Sequence, residues 1–296
     1  MNSFRCILFM LLLGVLILTS NSLLWAEQEV FWRETASEKI KIIVEDEKVV
    51  SRWVFPKKTA HGERGNAERL LEGKPFCNSQ QMKLNWIPAG SFSTPLTSDA
   101  VDVGKGFWIS VEEVSQGVYE RVMGENPSNF RRYHRPVERV GWKDAQRFCK
   151  RLTARERASG LLPLGFRYRL PREMEWEYAC RAGSTGDRYG DVEKISWYRD
   201  NSGGNTHDVG LKKPNSWGLF DTLGNVSEWC SDKWISRSRK TRGPEKEQSP
   251  NLRVYRGGSY LAPKEDCKAF SRGGTGTQFI HARPDIGFRC VLSSKQ

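Results

Sequence analysis

The chemistry available to this 296-residue chain rests first on its seven cysteines and four histidines. A cysteine can supply a nucleophilic or metal-binding thiolate, or half of a disulfide, and spacing and redox surroundings decide which. Cys6 stands in the apolar N-terminus; the others are Cys77, Cys149, Cys180, Cys230, Cys267 and Cys290. None forms a C-x-x-C pair, and His61, His134, His207 and His281 are scattered, which disfavours a zinc finger or a thioredoxin-type motif. Six is an even set, consistent with disulfides in an oxidising compartment, but it gives no connectivity. The runs Gly203-Gly204-Asn205 and Gly273-Gly274-Thr275-Gly276 do not join a strand to a helix as a phosphate cradle must, and are expected to be loops. Trp197, Tyr198, Trp217, Phe220, Trp229 and Trp234 could stack on a sugar or peptide, yet such rings more often form the core a loop-rich domain needs.

The N-terminus bears on the compartment. Arg5 in a short polar start precedes an apolar run from Ile7 to Leu18, and a polar stretch then ends in Leu-Trp-Ala at Ala26. That layout is expected of a secretory signal peptide over residues 1–26, with an uncleaved anchor as the alternative. The run is shorter than the ~20 residues a membrane-spanning helix needs. The protein is therefore expected to be secreted or periplasmic, meeting a membrane only through an uncleaved signal. Its net charge of +12 is spread along the chain, with modest clusters at Arg131–Arg135 and Arg237–Arg242. A solvated basic face is expected, and nucleic acid is not expected as a partner.

The elements that must position the cysteines follow from periodicity and turn signals. Residues 27–83 read as an N-terminal extension, strand-rich around KIKIIVEDEKVVSRWVF. A main domain over 84–296 opens with an apolar strand meeting a Pro-Ala-Gly turn. Val114, Val118 and Val122 fall at helical spacing with Ser115 as a cap, and that helix ends before Asn126-Pro127. A second helix from Gly141 to about Ala158 turns Trp142, Ala145, Phe148, Cys149 and Leu152 to one face. A third carries Trp176, Tyr178 and Cys180 after Pro171. From Gly183 to Gly224 the periodicity gives way to long ordered loops. Short strands near Arg253–Gly257 and Gly287–Leu292 close the domain.

Four segments carry a resemblance: LPREMEWEYACRAGS at 170–184, GLFDTLGNVSEWC at 218–230, RGGSYLAPKEDC at 256–267 and DIGFRC at 285–290. Together they resemble the catalytic domain of the formylglycine-generating enzymes, the sulfatase-modifying factors, which oxidise a substrate cysteine with copper. The resemblance spans roughly Leu84 to Leu292. It implies an α+β, C-type-lectin-like fold of the sulfatase-modifying-factor type, loop-rich with few helices and short strands.

What the resemblance implies for the site is mixed. In those enzymes two thiolates hold copper(I) as a near-linear pair, a geometry that a soft metal favours. Carried over, the second thiolate is Cys267 and the neighbouring serine is Ser259, but the first thiolate falls on Ala262. The family's GN-x-WEW segment has Ser227 in place of its first tryptophan. Copper is therefore not expected here, and Cys267 is expected to be bonded to another cysteine rather than free. The resemblance further implies a disulfide between Cys149 and Cys290. It leaves Cys180 without its usual partner, whose position holds Arg272. Asp221, Asn225 and Glu228 match a calcium loop, and hard oxygen ligands suit calcium; capping of loop amides by these side chains is the alternative. The expected role is binding of a protein or peptide partner in the old substrate groove, around Ser259 to Lys264. The alternatives are an oxidase with altered ligation and a carbohydrate-binding module, the latter on fold analogy alone.

Overall fold

In Lys39-Ile40-Lys41-Ile42 polar and apolar residues alternate with the period of a strand. This segment lies in β2 (Glu38–Glu45), flanked by β1 (Glu29–Glu34) and β3 (Lys48–Pro56) in a three-stranded sheet. The strand-rich extension thus has one strand more than the expected pair. The structure is a computed structural model that describes the backbone of these strands and residues 73–235, 251–277 and 282–294. The expected signal segment, His61, His281 and the Arg237–Arg242 cluster lie outside the described residues. The chain divides into two units, one of Met1–Arg33 with Ile40–Val54, the other of Glu34–Lys39 with Phe55–Gln296.

The larger unit is built on two sheets. The first runs β4-β5-β8-β14-β9. Its strands are β4 (Phe76–Cys77), β5 (Lys83–Ile87), β8 (Phe107–Ser110), β9 (Phe166–Arg169) and β14 (Val291–Ser294). A hairpin of β6 (Gly90–Phe92) and β7 (Val101–Val103) stands beside it as its own two-stranded sheet. The expected boundary at residue 84 is corrected: buried Phe76 sits opposite Leu84 across the β4–β5 ladder, so the sheet begins before that point.

Three helices of more than one turn fall where the periodicity puts them. α1 (Gln116–Met123) starts at Ser115, whose hydroxyl accepts the Val118 N–H, and stops at Gly124 in the left-handed region. α2 (Trp142–Ala158) is tied at its start by Asp144, which accepts the Gly141 N–H. Its Ala145, Phe148, Cys149 and Leu152 are buried, and Phe148 stacks on Tyr119 of α1 while meeting Phe288 edge-on. α3 (Glu173–Arg181) buries Trp176 and Cys180. Between Gly183 and Gly224 the chain is irregular apart from the single turn α4 (Val192–Ile195).

The second sheet, ordered β12-β11-β10-β13, consists of β10 (Ser227–Lys233), β11 (Leu252–Arg256), β12 (Arg272–Gly276) and β13 (Ile286–Gly287). Here one expectation is corrected. Gly273, Gly274 and Gly276 are strand rather than loop: all three pair antiparallel with β11, and aromatic rings pack against Gly273 and Gly274. A Cβ at Gly273 would stand 2.2 Å from the Tyr255 ring and one at Gly274 2.3 Å from Trp234. The result is the α+β, loop-rich architecture that the sequence implies.

Candidate functional site

Strand β11 ends in a turn, Gly257-Gly258-Ser259, and a cavity of about 590 Å³ opens above it. Its polar side is one connected set. Ser259 Oγ donates to Asp285 Oδ2 at 3.1 Å, and Arg283 grips the same carboxylate with Nε at 2.8 Å and Nη2 at 2.6 Å. The third arm of Arg283 donates to the Tyr255 hydroxyl at 3.0 Å, and its guanidinium lies over that ring. Hydrogen bonding to Asp285 raises the Arg283 pKa above its already high value, so this cation persists at any working pH. Ser227 Oγ donates to the Gly258 carbonyl at 3.0 Å, completing the floor. Leu261, Ala262, Pro263 and Phe270 supply the apolar side.

Cys267 lies directly beneath the turn. A Cβ on Gly258, whose φ is +74°, would come within 2.9 Å of Cys267 Sγ, so glycine is required both for the backbone and for the sulfur below. The thiol is fully buried in a cluster with Trp176, Cys180, Cys230 and Val254, and Ala262 packs against the same cluster. The structure therefore gathers Ser259, Ala262 and Cys267 in one place, with a methyl group on the cavity wall and the Cys267 sulfur behind it. Burial pushes the Cys267 thiol up, against the neighbouring Ser196 hydroxyl and Arg188; Cys180 is pushed to about 12 by the same cause. Cys180, Cys230 and Cys267 share one buried cluster, so the cysteines with which Cys267 was expected to bond are its neighbours in the fold. One sulfur pair is in contact among the described residues: Cys149 Sγ on α2 and Cys290 Sγ before β14, 3.7 Å apart.

The expected calcium set does not fit. Glu228 places both carboxylate oxygens on Arg289, at 2.7 and 2.9 Å from Nε, and also accepts Trp176 Nε1 at 2.7 Å. Asn225 accepts the His207 N–H through Oδ1 and donates to Glu113 through Nδ2 at 2.7 Å. Asp221 accepts the Gly210 N–H at 2.6 Å. Both Glu228 oxygens, Asn225 Oδ1 and Asp221 Oδ2 are thus engaged by backbone amides, an indole N–H and a guanidinium, the loop-capping alternative extended by an ion pair. Among the described residues no group of three or more His, Cys, Asp or Glu is arranged to hold a metal ion.

Sequence reasoning missed the buried cations that hold these parts together. Arg289 is fully buried and, besides Glu228, donates to the carbonyls of Ser110, Val111 and Phe220, joining β8, β10 and the loop before β10. Arg256, equally buried, pairs with Glu177 and Glu173 of α3. Arg272, at the position of the missing cysteine, closes on Glu173 at 2.5 Å and stacks on Trp234. The signal was present, since Arg256 and Arg289 stand inside quoted motifs between apolar or glycine neighbours, where a cation must have a buried partner.

Residues 71–294 match the model of the sulfatase-modifying factor enzyme 1-like domain. The chain belongs to this family. The α+β, C-type-lectin-like fold expected for sulfatase-modifying-factor proteins is the one described above. Among family relatives, the chain is 27% identical over 261 residues to the chaperone protein LppX of Paenibacillus barcinonensis, covering 70% of this chain and 88% of the relative. It is 31% identical over 210 residues to the formylglycine-generating enzyme of Streptomyces coelicolor, covering 64% of this chain and 61% of that enzyme, and so spans less than two thirds of the latter's length. Of solved structures, variable protein 1 of Treponema denticola superposes with a TM-score of 0.61 at 27% identity, covering 74% of this chain and 98% of that one. PvdO of Pseudomonas aeruginosa, at 23% identity and a TM-score of 0.60, covers 75% of this chain and 99% of its own and shares the fold.

Proposed function

We propose that this sulfatase-modifying-factor protein is exported and works by holding a protein or peptide segment in the cavity above Gly257-Gly258-Ser259, without the two-thiolate copper chemistry of the formylglycine-generating enzymes. One observation carries the reading. The cavity wall presents Ala262 where the resemblance puts the first thiolate, while Cys267 is sealed below Gly258 as a thiol of raised pKa. Copper(I) at such a site needs a pair of soft ligands, and one buried protonated thiol does not supply it. The relative named as a chaperone protein, matched over 88% of its length, supports a protein-handling role. In an oxidising compartment the opposed Cys149 and Cys290 close into the family's disulfide.

The test compares the wild-type chain with Ala262→Cys and Ser259→Tyr. Copper(I) titration against a competing chelator is expected to show no stoichiometric site in the wild type and a gain of copper in Ala262→Cys. Peptides selected on the wild-type cavity are expected to lose binding in Ser259→Tyr, whose ring fills the floor. Conversion of a cysteine peptide to formylglycine by the wild-type chain with copper and oxygen overturns the proposal. Mass spectrometry of the exported protein, starting at Glu27 if the signal is removed, checks the localisation.

A further inference from the structure

Away from the cavity, α1 and α2 share a basic outer face. On α2 the exposed positions Lys143, Lys150, Arg151 and Arg155 follow helical spacing opposite the buried Phe148 and Leu152. From Lys143 to Arg155 the row is about 18 Å long at the helical rise. Arg121 of α1 joins its end, because Arg155 Nη1 donates to the Arg121 carbonyl at 2.6 Å.

The partners of these cations set the face apart from an ordinary solvated one. Arg151 donates to the Met123 carbonyl at 2.9 Å and Arg121 to the Gln80 carbonyl at 2.8 Å. Carbonyls fix the guanidinium groups in place and leave their charge uncompensated. Among the described residues, Lys143, Lys150, Arg121, Arg151 and Arg155 have no carboxylate within salt-bridge reach, whereas Arg147 in the same row is paired with Asp144. Glu120 and Glu125, the exposed acids of the α1 end, make no ion pair with any of the five. At the edge stands Tyr133, 56% exposed, its ring packed over Gly117 and under the Arg121 guanidinium. An amphipathic ring beside a row of unpaired cations is the composition of a peripheral contact with an anionic lipid surface.

We infer that the α1–α2 face docks this protein onto a membrane leaflet of anionic phospholipid, reading the phosphate headgroups by charge and inserting Tyr133 at the rim. The face is remote in sequence from the cavity residues, and the inference stands independently of what the cavity holds.

Co-sedimentation of the full chain with vesicles of phosphatidylcholine, with and without phosphatidylglycerol, tests it. The apolar run at 7–18 would bind both vesicle types alike, so the readout is the ratio between them. The wild type is expected to prefer the anionic vesicles, and salt is expected to abolish the preference. Each basic residue near an anionic surface strengthens binding about fivefold, so K143Q/K150Q/R155Q is expected to lower the ratio roughly 100-fold. Arg155 holds the Arg121 carbonyl, so K143E/K150E, which disturbs no internal contact, is the second variant. An unchanged ratio in K143E/K150E with native circular dichroism overturns the inference. Equal binding of the wild type to both vesicles overturns it too, as does a preference for duplex DNA at equal phosphate, or full displacement by inorganic phosphate at matched ionic strength.

Discussion

Arg289 shows how much one buried side chain can organise. Its guanidinium is the counter-ion of Glu228, with the Glu113 and Asp221 carboxylates also felt nearby, and the Glu113 pKa is raised first by burial and then by Asp221 and Glu228. Replacement by Met would leave Glu228 buried and unpaired, a loss of about 3–5 kcal/mol. Chemical denaturation of Arg289→Met is expected to show a loss of that order, and a stability within 1 kcal/mol of wild type by the same test would sink the account. His207 gives a prediction in pH. Its ring stacks on Trp197 and donates Nε2–H to the Ser202 carbonyl at 2.8 Å. Burial holds its pKa below the usual 6.5, opposed by that carbonyl and aided by Arg135 and Lys212. A folded-state pKa below the unfolded one means that the contribution is complete above pH 6.5 and lost as pH falls through the folded value. Thermal melts across the acid range are expected to fall less steeply for His207→Gln than for the wild type, and an NMR titration should place the imidazole below 6.5. The sequence exposed the site residues unevenly: Ser259, Ala262 and Cys267 were legible because a motif fixes their spacing. The partners of Arg256 and Arg289 were not, because a charge in a motif shows its partner only once distant elements meet.

Among elements, the link between α2 and the approach to β14 matters most. Cys149 and Cys290 lie 141 positions apart in sequence and 3.7 Å apart in space. Closing that loop is expected to stabilise the fold by about 2–4 kcal/mol, the typical range for a disulfide, against the roughly 5 kcal/mol that chain entropy alone gives for so long a loop. Melting with and without reductant is expected to show the difference, and Cys149→Ala should abolish it; an identical midpoint in both would exclude the bridge. The helices were legible in the sequence because Ser115, Asp144 and the apolar stripes are local signals. Strand β12 was not, since glycines ordinarily mark loops, and it is the pairing with β11, with the Tyr255 and Trp234 rings against Gly273 and Gly274, that makes the segment a strand.

At the scale of the whole molecule, net charge and the distribution of cations separate two behaviours. A charge of +12 favours any anionic surface at low salt, whereas the unpaired row on α2 gives that attraction a direction. Fold class was legible from four short segments because each fixes a turn or a core contact. The missed β4 shows the limit: a two-residue strand leaves no period to read, and its place is set by Leu84 across the ladder.

Strand β14 pairs with β8 on one side and β9 on the other, inside the five-stranded sheet. This strand, made after both of its neighbours, is thus the keystone between them. During synthesis the sheet stands open with a gap at its centre until Val291–Ser294 leaves the ribosome, and pairings this distant in sequence form slowly. A chain cut at Asp285 is therefore expected to remain protease-sensitive and without a cooperative melt, however intact its remaining cavity residues.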